Sequence, residues 1–320
     1  MDTHKSKLSP QDPHWRRDLP ERGQPQEVEP GLGIESVNRL DARWLELTRE
    51  VTYMRGALFL FGGIGLGAGV FLLILIVGQL GKTFFPSGTA PIDIDEVFLG
   101  CFVLFACFGL VIFSLRNMKV DIAMPRDLPL RFDRQQRKVY SLEQKRLWNP
   151  FVPWPVTVRE WNWDDVHGIL TRYAGFTGKT YIQRFHVLMV LCKPGTLEAV
   201  DTIVLEGNSP IEVDMERTWS YVCTFMERGV DHVPHYPIRR QDVSLRRSLF
   251  QYIRPLDPTQ EGREARASAS GPVDLWFSII LSVLLAWIYV PIGICHYIAM
   301  LLAPEPKWPE DMEEQARIVS

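Results

Sequence analysis

Two short stretches of the chain carry residue types that could bind a metal or move a proton. His232 and His235 have a metal-like spacing, but they lie in a proline-containing loop with only Asp231 as a neighbouring carboxylate. Structural zinc normally takes four protein ligands, so this pair does not predict a metal site. Asp164 and Asp165 could act as paired carboxylates in acid–base chemistry. A cap of the following turn with one neighbouring surface charge explains them more simply.

The motifs of the common enzyme classes do not occur in the sequence. There is no H-E-x-x-H, no G-x-S-x-G, no P-loop and no dinucleotide fingerprint. The five cysteines are scattered and form no C-x-x-C pair, which argues against a disulfide framework and a structural zinc ion. The sequence therefore predicts no catalytic residue, no metal and no cofactor, and we expect that the protein is not an enzyme.

Tryptophans interleaved with arginines form the best candidate for a binding site. Trp148 and Trp154 lie in a proline-rich loop, whereas Trp161 and Trp163 are expected to fill the core of a small β domain. Such a cluster could stack nucleic-acid bases, anchor the chain at a membrane interface or form a protein-binding hot spot. The mixed local charge favours a partner protein or membrane lipids over nucleic acid. The residues predicted to contact a partner are Trp15, Arg146, Trp148, Phe151, Trp154 and Arg159.

Three apolar stretches are long enough to cross a bilayer, which takes about 20 residues. They are residues 56–80, 97–115 and 273–303. The third contains Pro291 and Gly293, so we expect one tilted or kinked span or, alternatively, a re-entrant hairpin that breaks there. The predicted fold class is a membrane α-helical anchor of three spans with a small β-rich α+β domain in the cytosol.

Basic residues in the short flanks set the expected orientation. Arg43 and Arg55 precede the first span, and the loop of residues 81–96 carries only Lys82 as a basic residue. This loop is therefore expected in the periplasm, which makes the protein a multi-pass inner-membrane protein with its soluble domain in the cytosol. A single third crossing would put the acidic tail, residues 304–320, outside, and a hairpin would return it to the cytosol.

The remaining segments are assigned by composition and periodicity. Residues 1–40 are predicted to be a disordered head, and residues 41–55 a juxtamembrane helix. Residues 116–236 are predicted to form the β-rich domain, in which antiparallel strands and one closing helix suggest a partly open barrel of the pleckstrin-homology type. Residues 237–272 are predicted to be a basic linker with a short amphipathic helix. That helix either lies on anionic lipid or packs on the soluble domain.

Glycines with G-x-x-x-G spacing occur twice in the first span. The pairs are Gly63 with Gly67 and Gly65 with Gly69. Small residues at this spacing allow two membrane helices to approach closely. They either pack against the other spans of the same chain or support a homo-oligomer through Gly63 and Gly67.

Several motifs together resemble those of an uncharacterised family of proteobacterial multi-span membrane proteins, over about residues 10–235. Proteins of this kind tend to be encoded near type VI secretion effectors. The resemblance therefore implies a cognate immunity protein that binds and neutralises an effector toxin, and it carries no established functional residues. The alternative is a membrane scaffold or regulator whose domain binds lipid or protein. The motifs are Pro13-His-Trp-Arg-Arg-Asp-Leu-Pro20, Phe132-Asp-Arg, Lys138-Val-Tyr140, Trp148-Asn-Pro-Phe151, Trp154-Pro155, Trp163-Asp-Asp-Val166 and Trp219-Ser-Tyr-Val with Phe225-Met-Glu-Arg-Gly229.

Overall fold

The computed structural model describes residues 6–33, 36–49, 54–84, 94–176, 181–240, 242–267, 269, 271–310 and 312. Within them, short strands and amphipathic helices alternate with three long apolar helices. The strands are β1 (Trp15–Asp18), β2 (Val37–Leu40), β3 (Trp44–Leu47), β4 (Leu130–Asp133), β5 (Lys138–Gln144), β6 (Val156–Asn162), β7 (Val166–Phe176), β8 (Tyr181–Cys192) and β9 (Ala199–Ser209). The helices are α1 (Ala57–Phe84), α2 (Ile94–Ala123), α3 (Glu212–Arg228), α4 (Leu245–Phe250), α5 (Gln260–Ala267) and α6 (Pro272–Leu302).

The strands form two antiparallel sheets that share one core with α3. The five-stranded sheet has the order β2-β3-β4-β5-β6, and the four-stranded sheet has the order β1-β7-β8-β9. Because side chains alternate along a strand, Leu45 and Phe132 of the first sheet face Val187 of the second. Trp219 and Phe225 of α3 close this core. The predicted α+β class with a closing helix is confirmed in this form.

The helical hairpin α1–α2 is inserted between two adjacent strands of the domain. β3 precedes the hairpin and β4 follows it, yet the two strands pair directly, with Trp44 opposite Asp133 and Leu47 opposite Leu130. Both ends of the hairpin are therefore fixed by one ladder of the five-stranded sheet. The soluble domain does not begin at residue 116, as predicted, because strands on both sides of the hairpin belong to it.

The prediction of a disordered head over residues 1–40 is wrong. β1 pairs with β7, so the head supplies an edge strand of the four-stranded sheet. The chain then follows α3, where the indole of Trp219 donates to the carbonyl of Pro20 (3.0 Å) and Ser220 Oγ donates to the carbonyl of Val28 (2.9 Å). Prolines prevent a regular element here, but buried Leu19 and these hydrogen bonds order the segment.

The predicted juxtamembrane helix over residues 41–55 is also wrong where the chain is described. Trp44, Leu45 and Leu47 lie in strand β3 and are buried. All four residues of β3 are buried, because Leu45 and Leu47 lie in the core between the sheets while Trp44 packs on the other face with Trp308. Residues 50–53 of the predicted helix lie outside the described residues.

Helices α1, α2 and α6 are each long and apolar enough to cross a membrane. In α1, Gly65 and Gly69 lie against Ser114 and Val111 of α2, where a Cβ atom would come within 2.5 and 2.9 Å of their side chains. These two glycines therefore pack within the chain, which was one of the two expectations. Gly63 and Gly67 have open space around them, so a homo-oligomer through them stays a prediction. Most of the predicted periplasmic loop, residues 85–93, lies outside the described residues.

Helix α6 continues without a break through Pro291, so the alternative of a re-entrant hairpin that breaks there is wrong. The tail that follows α6 nevertheless packs on the soluble domain. Trp308 is buried, and its indole donates to the Glu46 carboxylate (3.0 Å) while the Arg131 guanidinium lies 4.3 Å from its ring. An unbroken third helix was expected to carry the tail away from the domain, and these contacts contradict that expectation. Residues 311 and 313–320 lie outside the described residues.

The predicted basic linker of residues 237–272 contains two helices, α4 and α5. α4 includes the predicted apolar positions Leu245 and Leu249, but it packs on α6 rather than on the β domain. Leu249 backbone atoms lie where a side chain on Gly293 would otherwise be, and Ser248 Oγ is 3.0 Å from His296 Nδ1. The contact with α6 replaces the expected packing on the soluble domain, and the alternative position on anionic lipid stays a prediction.

Candidate binding surface beside the helical hairpin

A proline-rich loop between β5 and β6 is fixed to the last turns of α2. Lys119 of α2 donates from Nζ to the carbonyls of Pro150 (2.6 Å) and Val152 (2.5 Å). The Phe151 backbone N–H donates to Asn149 Oδ1 (2.8 Å), which turns the loop sharply. Because proline cannot donate to a strand ladder, the loop obtains its order from α2 instead of from a neighbouring strand.

Two large apolar side chains of this loop project into solvent. Trp148 is 73% exposed and Phe151 is 74% exposed. The guanidinium of Arg116, on α2, lies 4.4 Å from the Trp148 ring centroid, which is a cation–π distance. We call Trp148, Phe151 and Arg116 the aromatic platform. Trp154 does not belong to it, because it is only 7% exposed and packs under Lys119, with Nζ 5.4 Å from its ring.

The base of the hairpin is held by contacts between the ends of α1 and α2. The buried Asp121 carboxylate accepts hydrogen bonds from the backbone N–H groups of Gly56 (2.9 Å) and Phe59 (2.7 Å), so it caps the start of α1. In return, Arg55 donates to the carbonyls of Asp121, Met124 and Pro125 at the end of α2. Opposite charges thus sit at the favourable ends of two helix dipoles. We call this pair of contacts the reciprocal cap.

The reciprocal cap places the aromatic platform beside the hairpin. Arg116 and Lys119 lie within two turns of Asp121, so the loop that they hold sits where α2 joins the domain. An exposed side chain on this loop is therefore in the same medium, water or lipid, as the base of the hairpin. If α1 and α2 cross a bilayer, the platform lies at the membrane–water interface, where tryptophan and arginine are both common.

The other predicted contact residues are engaged within the chain. Arg146 lies 3.8 Å from the sulfur of Met124 at the end of α2, near the platform. Arg159, on edge strand β6, binds Glu143 (3.3 Å) and Asp201, and the latter contact links the edges of the two sheets. Trp15 lies in β1 of the four-stranded sheet, and its indole donates to Asp18 (2.7 Å). Only part of the predicted set is therefore brought together, and Trp15 and Arg159 lie apart from the platform.

The residues that could do proton chemistry have structural partners. Asp164 does not cap its turn, since it lies inside the turn Trp163–Asp165 and Asn162 occupies the cap position. It binds Arg137 instead (2.7 Å), and the hydrogen bond from this guanidinium lowers the pKa of the Asp164 carboxyl. Asp165 accepts a hydrogen bond from the backbone N–H of Gly195 (3.3 Å). Over the described ranges, no group of three His, Cys, Asp or Glu side chains is arranged to hold a metal ion.

An open cleft of about 280 Å³ lies between the ends of β6 and β8, and its lining includes Glu160, Asp165 and Cys192. Burial raises the pKa of the Cys192 thiol, which disfavours the nucleophilic thiolate. The negative charge of Asp165 raises the pKa of this thiol further, and Arg22 opposes that effect. The cleft therefore lacks an activated nucleophile, and the aromatic platform remains the better candidate for function.

Sequence reasoning missed Arg116, Lys119 and the reciprocal cap. The available signal was this pair of basic residues, which directly follows the second apolar stretch. The contact of Arg55 with Asp121 joins the turn before α1 to the end of α2, 66 residues further along the chain, so no local pattern could have revealed it.

Comparisons with known proteins give one family match. A family model described as a family of unknown function (DUF6708) matches residues 107–319, which is more than half of the chain. The match begins within α2 and covers the aromatic platform, strands β4 to β9 and helix α6. No curated protein and no solved structure matches the chain.

Proposed function

Because the chain belongs to the family of unknown function DUF6708, whose name states no activity, we propose a function from the geometry of the binding surface. The protein is a non-enzymatic immunity protein of the bacterial inner membrane, anchored by α1 and α2, with its soluble domain in the cytosol. It binds a cognate type VI secretion toxin and protects the producing cell. The aromatic platform is the observation that carries the binding role.

The platform has the properties of a protein-binding hot spot. Tryptophan and arginine dominate the binding energy of protein interfaces, and such residues lie on a rigid support. Here Trp148 stacks on Arg116 and the loop is held by Lys119, so little conformational entropy is lost when a partner binds. Phe151 adds a second exposed aromatic ring.

The toxin as the partner rests on the resemblance to proteins encoded beside type VI effectors, and the platform supplies a surface for it. An immunity protein needs a binding surface and no catalytic group, which agrees with the structural partners of Asp164, Asp165 and Cys192. The two antiparallel sheets closed by α3 support a domain of the pleckstrin-homology type, which serves as a rigid scaffold for such a loop.

The test is a competition assay with matched variants of the full-length protein. We expect that the double variant Trp148→Ala, Phe151→Ala no longer co-purifies with the co-encoded effector from detergent. Cells that express the effector together with this variant should lose their protection. The control is Val200→Ala with Ile211→Ala, which removes two exposed apolar side chains from β9 and the loop before α3. Trp154 is left intact, because it is buried and its replacement would alter the loop itself.

Membrane level and thermal unfolding of both double variants must equal those of the parent protein. Loss of protection by the platform variant alone supports the proposal. Equal protection by both variants would exclude the platform as the toxin-binding surface. If cells that lack the protein are no more sensitive to the effector than cells that contain it, immunity itself is excluded.

A second candidate function is a membrane scaffold or regulator that binds anionic lipid. The observation that favours it is the position of Trp148 and Arg116 at the base of the hairpin, where an indole and a guanidinium suit lipid headgroups. We expect that reconstituted protein then shows a larger blue shift of tryptophan fluorescence in vesicles with anionic lipid than in neutral vesicles. An equal fluorescence shift in anionic and neutral vesicles would count against this function. A shift that remains unchanged in the Trp148→Phe variant would also count against it.

A further inference from the structure

The third apolar helix, α6, has both of its ends tied to parts of the chain that belong on one side of a bilayer. At its C-terminal end, Arg126 Nε donates to the carbonyl of Met300 (3.1 Å), and the Arg126 backbone N–H donates to the carbonyl of Pro304 (3.0 Å). Trp308 then packs under the five-stranded sheet. The end of α6 therefore lies with the soluble domain, next to the base of the hairpin.

The segment before α6 runs back along the same helix. Ser248 contacts His296, and four residues later the Tyr252 ring stacks on Tyr289 with 5.8 Å between centroids. The Tyr252 hydroxyl also donates to the carbonyl of Arg55 (3.0 Å), directly before α1. The chain from α4 onward is therefore antiparallel to α6 and starts from the base of the hairpin.

The chain then folds on itself before α6 begins. Arg266 of α5 donates to the carbonyls of Pro255 (2.8 Å) and Asp257 (2.8 Å), which lie three and five residues beyond Tyr252. Gly262 packs so closely on Asp257 that a Cβ atom would lie 2.0 Å from its carbonyl oxygen. α5 is thus held near the base of the hairpin. Its side chains Glu261, Arg263 and Glu264 are exposed, so α5 cannot lie in hydrocarbon.

The length of chain that remains cannot cross a bilayer. Pro272, the first residue of α6, lies six residues beyond Arg266, and six extended residues span about 20 Å. A turn in which the Ala269 N–H donates to the carbonyl of Arg266 (3.4 Å) shortens this path. The hydrocarbon core is about 30 Å thick. The start of α6 therefore lies on the same side as α5 and the soluble domain.

We infer that α6 does not cross the membrane but lies in the plane of the interface on the side of the soluble domain, with one apolar face in the lipid. This inference rests on the proposed anchoring of the hairpin α1–α2 in a bilayer and does not depend on toxin binding. The chain then crosses twice, and the head, the soluble domain, α4, α5 and the tail share one side.

The surface of α6 fits a helix that lies between protein and lipid. One face carries Ser282, Tyr289, Gly293 and His296, of which the last three contact α4 or Tyr252. The opposite face is apolar and exposed, with Trp276 and Trp287 at 64% and 74% exposure. Its members recur at intervals of three, four and seven residues, which aligns them along one side of a helix of about 46 Å. They are Val273, Trp276, Phe277, Ile280, Leu284 and Trp287.

The lipid interface is the occupant that suits this face. Amphipathic helices with tryptophan on the apolar face lie in the headgroup region. The protein face of α6 is covered by α4, so the opposite, apolar face is the one left for lipid. Backbone groups of an unbroken helix are satisfied internally, so this position leaves no unpaired group in the lipid.

Cysteine labelling in sealed vesicles tests the inference with the full-length chain. Four single substitutions are compared with the parent protein, whose five cysteines give the background: Ala267→Cys before α6, Lys307→Cys after it, Thr157→Cys in β6 and Lys82→Cys at the far end of α1. A membrane-impermeant maleimide is applied to right-side-out and inside-out vesicles. We expect that Ala267→Cys, Lys307→Cys and Thr157→Cys are labelled from one side and Lys82→Cys from the other.

The outcomes separate this inference from the anchoring on which it rests. Labelling of Ala267→Cys from the same side as Lys82→Cys would overturn the in-plane position of α6 and leave the hairpin anchoring intact. Labelling of Lys82→Cys from the same side as Thr157→Cys would overturn the anchoring itself. Spin labels at the exposed positions Val273, Leu284 and Ile294 give a second measurement. An in-plane helix puts all three at one shallow depth, whereas a crossing helix puts Leu284 much deeper than Val273.

Discussion

The hairpin α1–α2 and helix α6 have similar apolar composition but different attachments to the chain. The two helices of the hairpin pack against each other along their length, and their shared base is closed by the reciprocal cap of Arg55 and Asp121. α6 instead packs on α4 along one face and is tied to the soluble domain at its end. Each of the three helices could cross a membrane by length and composition.

The comparison teaches that the contacts of helix ends carry topological information that hydropathy lacks. The hairpin is tied to the soluble domain at its base, where β3 and β4 pair on either side of it. Both ends of α6, by contrast, lie within a few residues of segments that the domain holds. A hydropathy window measures only how well a stretch tolerates lipid, so it assigns the same role to both regions.

The largest expected effect is at the base of the hairpin. Arg55→Ala removes the donor from three carbonyls at the end of α2 and leaves them buried. A buried carbonyl left without its donor typically costs about 1–3 kcal/mol, so with three carbonyls we expect a decrease of about 3 kcal/mol or more in the free energy of unfolding in detergent. Arg263→Ala is the matched control, because Arg263 is exposed on α5. Equal stability of the two variants would show that the reciprocal cap does not hold the hairpin.

A smaller effect is expected where α6 meets α4. A Cβ atom at Gly293 would lie 2.8 Å from both Leu249 Cα and the Ser248 carbonyl, so Gly293→Val must push α4 away. Overpacking of this kind costs about 1–3 kcal/mol. Gly63→Ala in α1 meets open space and is expected to stabilise the helix by about 1 kcal/mol through helix propensity.

Limited proteolysis distinguishes a local loss from global unfolding in these glycine variants. Cleavage in residues 242–267 should become faster in Gly293→Val and stay unchanged in Gly63→Ala. If both glycine substitutions behave alike, α6 and α1 do not differ in their surroundings, and the comparison of the two regions fails.

Elements with a strong local pattern were predictable from the sequence, and elements that depend on distant partners were not. The long runs of apolar residues identified α1, α2 and α6, and the helical spacing of Trp219, Val222 and Met226 identified α3. The strands β1, β2 and β3 were missed because each has only four residues. In addition, β1 and β3 pair with strands far along the chain, and β2 pairs only with β3. A strand this short has no periodicity of its own.

The candidate site was predictable in its exposed part only. Proline around Trp148 and Phe151 indicated a loop, and loops place aromatic side chains at the surface. The same pattern gave Trp154 the same role, although it is buried under Lys119. Nothing local distinguishes the two tryptophans, because the difference arises from the position of α2. Likewise, Trp15 completes the four-stranded sheet through a contact with β7 that its own neighbours do not indicate.

The smallest expected decrease in the free energy of unfolding lies in the β domain, outside both helical regions. It gives the size of an exposed ion-pair contribution with which the larger effects can be compared. Arg137, in the turn between β4 and β5, binds Asp164 (2.7 Å) and Glu227 (3.1 Å). Because these groups are partly exposed, Arg137→Ala should lower the free energy of unfolding by about 1 kcal/mol or less at pH 7. The effect should depend on pH, since the contact holds the pKa of Asp164 below its usual value.

The sign of that dependence follows from linkage. A carboxyl with a lower pKa in the folded state contributes stability above its unfolded pKa of about 4, and the contribution is lost as the pH falls through the folded pKa. The pKa of Glu227 is also lowered, because hydrogen bonds from Arg137 and Trp163 outweigh its desolvation by burial. Unfolding curves of the parent and Arg137→Ala should therefore differ at pH 7 and converge between about pH 4 and pH 2. A difference that persists at pH 2 would mean that Arg137 acts through packing of the turn. The ion pairs with Asp164 and Glu227 would then not account for its contribution to the free energy of unfolding.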